Sequence, residues 1–257
     1  NMKNNNNMLF PDMVFAVGDC SKSVKSGECS INDDPSMNDA ESYNILKMVF
    51  NRGNRKNDTQ YNKIIGRAVN GFDVCSCMFG IHYFFKNEDT LDGFLSNVSQ
   101  LLNTGGVFFC TFMDGETIEN DIEANGGDKI EGFKKLSRRK EDRGEPIWAI
   151  LRCYDKAAVS NYNKQINVFI ETTSKLIPEY LVSYKFLREK CKEYDLNIKE
   201  SEMFSETFNK FKTNLEELSE TKENLYKSII ELDKDENKDL KRFSSFNRWC
   251  IFEKQSN

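Results

Sequence analysis

Histidine is nearly absent: His82 is the only one in 257 residues. A Ser-His-Asp or Cys-His mechanism would have to run through that one side chain. Zinc is poorly served as well. Of the eight cysteines only Cys75 and Cys77 are close in sequence, and no C-x-x-C pair exists, so no metal site is expected. Long apolar runs are missing: the longest, Met13 to Val17 and Ile147 to Leu151, are five residues each. Neither a membrane-spanning helix nor a secretory signal is expected within these residues. The cysteines then read as reduced, mostly buried thiols. An excess of positive charge is also lacking, with 36 Lys and Arg against 41 Asp and Glu and a net charge of −5. Such a chain is not expected to hold nucleic acid mainly by nonspecific charge, although a local basic groove stays open.

Apolar mass is plentiful. Hydrophobic residues make up 39% of the chain, including 20 Phe, 9 Tyr and 2 Trp, enough for a core in one large domain over residues 1–257. The chain opens Asn-Met-Lys and four Asn, so it is expected to begin inside a longer protein, with residues 1–12 as a mobile lead-in. Met13 to Val17 reads as a buried strand running into the loop Gly18-Asp19-Cys20-Ser21-Lys22. Residues 23–71 read as an insertion, polar apart from a helical piece at Ile45 to Phe50.

Phe72 to Cys77 is the next expected strand, followed by FGIHYFF over Phe79 to Phe85. Leu91, Phe94, Leu95, Val98, Leu101 and Leu102 recur at helical spacing across Glu88 to Leu102. Gly105-Gly106 ends that helix, Val107 to Phe112 reads as a buried strand, and a short helix follows to Ile122. Continuous apolar strands alternating with helices predict an α/β fold with strands buried on both faces. Ligand loops then fall at the carboxyl ends of the strands, near Asp19-Cys20, Met78 to Tyr83 and Met113-Asp114.

Residues 123–146 read as a polar loop with a basic cluster: Lys134, Lys135, Arg138, Arg139, Lys140 and Arg143. That cluster is either a solvated loop or a contact for phosphates. Ile147 to Tyr154 and Gln165 to Glu171 suggest an antiparallel pair, and Glu179 to Tyr194, after Pro178, a helix. Leu215 to Lys241 suggests a charged, solvent-facing helix, and Trp249 to Phe252 a last strand.

The order of Gly18-Asp19-Cys20-Ser21-Lys22, FDVCSCMFGIHYFF from Phe72 to Phe85, NTGGVFFCT from Asn103 to Thr111, Pro178-Glu179-Tyr180-Leu181-Val182 and NRWCIF from Asn247 to Phe252 resembles the mRNA cap (guanine-N7) methyltransferase family. The likeness is to the forms of large DNA viruses, where this is often the last domain of a capping enzyme, and it spans about residues 13–254. It implies a class I, Rossmann-like fold and S-adenosylmethionine as cofactor. The reaction it implies is methyl transfer to N7 of the capping guanine. The substrate would be the GpppN end of capped RNA, and other capping-enzyme domains would be partners. The location it implies is intracellular: cytoplasm, viral factory or virion, or the nucleus of a cell. No catalytic side chain is required, because the N7 lone pair is free at neutral pH and alignment does the work.

Residue roles follow from the resemblance. Asp19 matches the family's adenine-binding acid and Cys20 the neighbouring backbone; on the residues alone, Asp19 also reads as a helix cap or Asx-turn acid. Met78 stands where many members carry Gln and, with Phe79 and Tyr83, would line the cofactor pocket; Phe79 reads equally as core. His82 and Tyr83 match the cap-pocket pair. Glu179 matches an acid that reads guanine N1 and N2, or else is a first-turn helix acid. Trp249 falls near a cap-pocket Tyr, or is a core Trp.

One part of the pattern is missing. No glycine-rich loop after a first strand is present; the Gly pairs, Gly105-Gly106 and Gly126-Gly127, come too late. The domain is therefore expected to be N-terminally incomplete, completed by a preceding segment or another chain. A non-catalytic cap-binding or stimulatory module is the alternative, and a class I methyltransferase for another base or small molecule is a third reading that the HYFF stretch and Glu179 disfavour.

Overall fold

A computed structural model describes residues 13–31, 36, 38–52, 63–134, 144–214 and 222–256. The lead-in at 1–12, part of the 23–71 insertion (32–35, 37 and 53–62), most of the basic cluster (Lys135 to Arg143) and residues 215–221 and 257 lie outside them. The chain divides into two compact units, Asn1–Asn70 and Gly71–Asn257.

In the first unit, Met13 to Val17 is exposed and in no strand, contrary to expectation. Its backbone ends in side-chain partners instead of a ladder: the Val17 N–H donates to Ser42 Oγ at 2.7 Å and its carbonyl accepts from Ser30 Oγ at 2.9 Å. An apolar run makes a strand only where a neighbour completes its hydrogen bonds, and none does so among the described residues. Helix α1 (Ala40–Val49) starts where Asp39 accepts the Ser42 N–H.

The second unit is built on two four-stranded sheets. Strand β1 (Phe72–Met78) leads through a 3-10 helix (Ile81–Lys86) and helix α2 (Glu88–Leu101) to strand β2 (Leu102–Met113), which lies parallel to β1. Asn87 and Thr90 form a reciprocal capping box at the start of α2. Leu91, Phe94, Leu95 and Val98 then bury one face of the helix on Phe108, Cys110 and Phe112 of β2. Helix α3 (Gly115–Ala124) follows, capped by Asp114.

Strand β3 (Lys129–Phe133) comes next, inside the expected loop; its five residues are paired to strand β4 (Pro146–Arg152). Strands β5 (Gln165–Ile170) and β6 (Lys175–Tyr180) complete an antiparallel sheet ordered β3-β4-β5-β6. The helix expected from Glu179 begins later: helix α4 (Tyr184–Lys192) is capped by Ser183, and Pro178 and Glu179 lie in β6. Pro178 is tolerated there because β6 is an edge strand, where a missing N–H breaks no inner ladder.

Strand β7 (Leu196–Met203), helices α5 (Phe204–Thr213), α6 (Glu223–Leu232) and α7 (Lys238–Ser245), and strand β8 (Asn247–Lys254) close the chain. The expected single charged helix is thus two, separated by a 3-10 turn at Asp235–Asn237. They are not merely solvent-facing: Ile229 is buried, and Asp239 of α7 accepts Trp148 Nε1–H on its carbonyl and the Phe133 N–H on its carboxylate.

The first sheet is ordered β1-β2-β8-β7, with β1 and β2 parallel and β8 antiparallel to both β2 and β7. This α/β arrangement, a strand-helix-strand unit extended by antiparallel strands, agrees with the class I, Rossmann-like fold that the resemblance implies. Burial on both faces does not hold for β1, which pairs only with β2 among the described residues and leaves Val74 60% and Met78 52% exposed. No described helix is long and apolar enough to cross a membrane.

Candidate functional site

The site grows from the carboxyl end of β1. The ladder stops at Met78, and Phe79 turns the chain with a φ of 51°. A bulky side chain in that left-handed region costs on the order of 1–3 kcal/mol. The turn is held by a forked hydrogen bond: the Phe79 N–H donates to the carbonyl and to Oγ1 of Thr111, each at 3.0 Å. The 3-10 helix that follows sinks Ile81 and Phe85 fully into the core. Between those anchors Tyr83 faces outward, 53% exposed, while His82 is buried at 8%. Their rings lie 4.0 Å apart, centroid to centroid, tilted by 52°.

Strand β6 brings the acid. Glu179, paired in register with Ile166 of β5, sets Oε2 3.9 Å from His82 Nε2. That is too long for a hydrogen bond, and His82 Nε2 has no hydrogen-bond partner among the described residues. Burial shifts both groups away from charge. It lowers the imidazole pKa to about 4 and raises the carboxyl to about 7. Both shifts oppose an ion pair, so between those values the site holds a neutral imidazole and a neutral acid. A buried nitrogen without a hydrogen-bond partner among the described residues and a mostly enclosed acid beside it suit a ligand that carries both donor and acceptor groups on one edge.

Trp249 has different company. Its indole N–H donates to Thr207 Oγ1 at 2.8 Å. Its ring joins Met78, Phe109, Thr111, Phe204 and Phe208 around an apolar cavity of about 390 Å³. Met78 and Trp249 thus line this cavity, and His82, Tyr83 and Glu179 are not among its lining residues. Phe79 packs edge-on to Phe204, centroids 6.1 Å apart.

Asp19 and Cys20 belong to the first unit. Asp19 Oδ1 accepts the Ser21 N–H at 2.9 Å and Ser21 Oγ at 2.7 Å, an Asx-type turn, and both Asp19 and Cys20 are exposed.

Thr111 was not a candidate from the sequence. It is 1% exposed, in register with Met78, and its hydroxyl lies 3.9 Å from the Met78 sulfur. The one signal that could have found it is a threonine at the carboxyl end of an apolar strand, legible only once β1 and β2 are aligned.

A protein-family model described as mRNA (guanine-N(7))-methyltransferase domain matches residues 54–255. The mRNA cap guanine-N(7) methyltransferase of Candida albicans is 26% identical over 151 residues, covering 57% of this chain and 30% of the relative. The probable mRNA-capping enzyme of Acanthamoeba polyphaga mimivirus is 31% identical over 150 residues, covering 56% of this chain and 12% of the relative. The chain thus spans about a third or less of the length of these relatives. Among solved structures, an S-adenosylmethionine-dependent methyltransferase from Clostridium acetobutylicum aligns with a TM-score of 0.32 at 12% identity, over 73% of this chain and 60% of that one.

Proposed function

Because the chain belongs to the mRNA (guanine-N(7))-methyltransferase domain family, we propose that it carries the cap-guanine side of a guanine-N7 methyltransferase. In this reading the methyl group passes from S-adenosylmethionine to N7 of the guanine that caps mRNA. The observation that carries the reading is the buried His82–Glu179 pair beside Tyr83, inside the matched residues.

Guanine offers N1–H and N2–H on one edge. Glu179, as a carboxylate, accepts both. His82 Nε2 gains the partner it lacks, which removes a desolvation penalty of about 1–3 kcal/mol. Tyr83 supplies an exposed aromatic face for the base. Methylation leaves a positive charge on guanine, and a fixed carboxylate on the opposite edge stabilises that charge as it develops. N7 needs no deprotonation, so the residues bind and aim; none has to take a proton from the nucleophile.

The cofactor, when bound, supplies a methyl group activated on a sulfonium. The residues at the end of β1 fit such a group: Met78, Phe79 and Tyr83 expose 52%, 49% and 53% of their surface, apolar area that a thioether chain and a purine would cover. Asp19 and Cys20, which the resemblance assigns to the adenine, lie in the first unit. Capped RNA is the substrate in this reading, and other capping-enzyme domains are the partners.

The test is a methylation assay on GpppN-capped RNA with labelled S-adenosylmethionine, followed by nuclease release of the cap. Label at guanine N7 is the expected result once the segment that supplies the glycine-rich loop is present. Cap binding without cofactor binding, measured by calorimetry with S-adenosylhomocysteine, would instead support a non-catalytic cap-binding module. Met78 in place of the family's usual Gln is the observation that favours that second reading.

A further inference from the structure

Phe79 stands out in the backbone. Among the described non-glycine residues with positive φ, the others are Asn51, Asn163, Ser174 and Asp195, all small or amide-bearing. Asn and Asp tolerate this region through local hydrogen bonds, and a phenylalanine does not. Something outside the turn must hold it, and the contacts identify that partner. The Thr111 carbonyl continues the β1–β2 ladder to the Phe79 N–H, which any residue at 111 would do. The Thr111 hydroxyl adds a second acceptor for the same N–H at 3.0 Å and lies 3.9 Å from the Met78 sulfur. One hydroxyl therefore touches both residues that end β1. It is rigidly placed, because a β-branched side chain in a strand has few rotamers and Thr111 is fully enclosed.

We infer that Thr111 is a positioning residue of this site, its hydroxyl clamping the Met78–Phe79 turn so that the following 3-10 helix presents His82 and Tyr83 to Glu179. The choice of ligand in the test rests on the cap-methyltransferase reading; the clamp itself does not. The competing account is that Ile81 and Phe85, both fully buried, anchor the 3-10 helix unaided and Thr111 only fills space.

The experiment uses the whole 257-residue chain, with Thr111→Val, which keeps the shape and removes the hydroxyl, and Thr111→Ser, which keeps the hydroxyl and removes the methyl. His82 is the only histidine, so its imidazole proton resonances report on the site without assignment. In the parent it titrates near 4. Thr111→Val is expected to move that midpoint toward the ordinary 6.5 and to weaken GpppG binding about tenfold, the size of one lost buried hydrogen bond. Thr111→Ser is expected to keep the parent midpoint and affinity while melting earlier.

A Phe79→Gly background makes the coupling explicit. Glycine adopts the left-handed turn without strain, so there Thr111→Val should leave the His82 titration unmoved, a non-additivity that a packing role does not produce. The same background supplies a comparison that folds if Thr111→Val alone does not. An unchanged His82 midpoint in Thr111→Val, with only a lower melting temperature, would overturn the clamp. A parent that fails to bind GpppG would defeat the cap reading, while the His82 titration would still decide the role of Thr111.

Discussion

Two acid–base pairs in the second unit each set a buried group against a half-buried partner, and they are built for opposite ends. Asp114 and Arg248 meet at 2.7 Å, with the acid 2% exposed. Asp114 also accepts the N–H and hydroxyl of Thr117, and Arg248 donates to Ser201 Oγ and lies over the Tyr184 ring at 4.2 Å. Their polar groups are matched within the fold, and they tie β2 to β8. His82 and Glu179 stand 3.9 Å apart, with no hydrogen bond between them and both shifted toward neutrality by burial. A matched buried pair belongs to the scaffold, whereas an unmatched one marks a place where a ligand completes the set.

The contrast can be broken most forcefully at Arg248. Arg248→Ala strands the Asp114 carboxylate and removes the cover over Tyr184, and should cost about 3–5 kcal/mol of stability in urea unfolding. A loss under about 1 kcal/mol would mean that the pair is not a scaffold element.

At the other pair the same kind of truncation should leave the fold alone and strike the ligand. Glu179→Ala or His82→Ala is expected to lower cap-analogue affinity, and methylation by the completed domain, about a hundredfold, as truncation of desolvated recognition groups does. Stability should change little or rise, because removing a buried group without a partner also removes its desolvation cost. Near-parent cap affinity in both variants would remove these residues from the site.

The pH dependence sharpens the contrast further. The folded pKa of Glu179, near 7, lies above its ordinary 4.5. Its stabilising contribution is therefore complete below 4.5 and is lost as pH rises through 7. His82 runs the other way: its pKa is lowered from 6.5 to about 4, so its contribution is complete above 6.5 and is lost as pH falls through 4. Between 4.5 and 6.5 the two slopes oppose each other. Glu179→Gln removes only the first, so this variant should gain on the parent by about 1–3 kcal/mol between mildly acidic and mildly alkaline urea titrations. Cap-analogue affinity should rise with pH through the same upper midpoint, because a protonated acid cannot accept both guanine donors. Parallel pH curves for parent and variant would return Glu179 to an ordinary surface acid.

How far the sequence revealed this contrast depends on the kind of signal. Helix α2 was plain from the spacing of Leu91, Phe94, Leu95 and Val98, and β8 from Trp249 to Phe252, because period and burial coincide there. Glu179 was misplaced in a helix because the apolar spacing of α4 extends visually back through Leu181 and Val182, while the true start lies at the Ser183 cap. Strand β3 was hidden because KIEGF is short and polar and becomes a strand only beside β4. Met13 to Val17 had a strand's composition without a partner among the described residues. His82, Tyr83 and Glu179 were grouped by resemblance alone, since the 95 residues of chain between the last two must fold before β6 meets the 3-10 helix. Thr111 was invisible because its role depends on strand register.

The smallest effect bears on Trp249, which sequence order grouped with the cap pocket and which lies beside Met78 in the apolar cavity. Trp249→Phe keeps an aromatic wall and removes the indole donor to Thr207. One such hydrogen bond contributes about 0.5–1.5 kcal/mol, so unfolding should shift by roughly that much while GpppG affinity holds. If Trp249 touched the cap, affinity would fall severalfold with stability intact. The ratio of the two losses therefore decides which set Trp249 serves: the apolar cavity, where its indole is already matched by Thr207, or the His82–Glu179 pair, where a ligand must supply the partner.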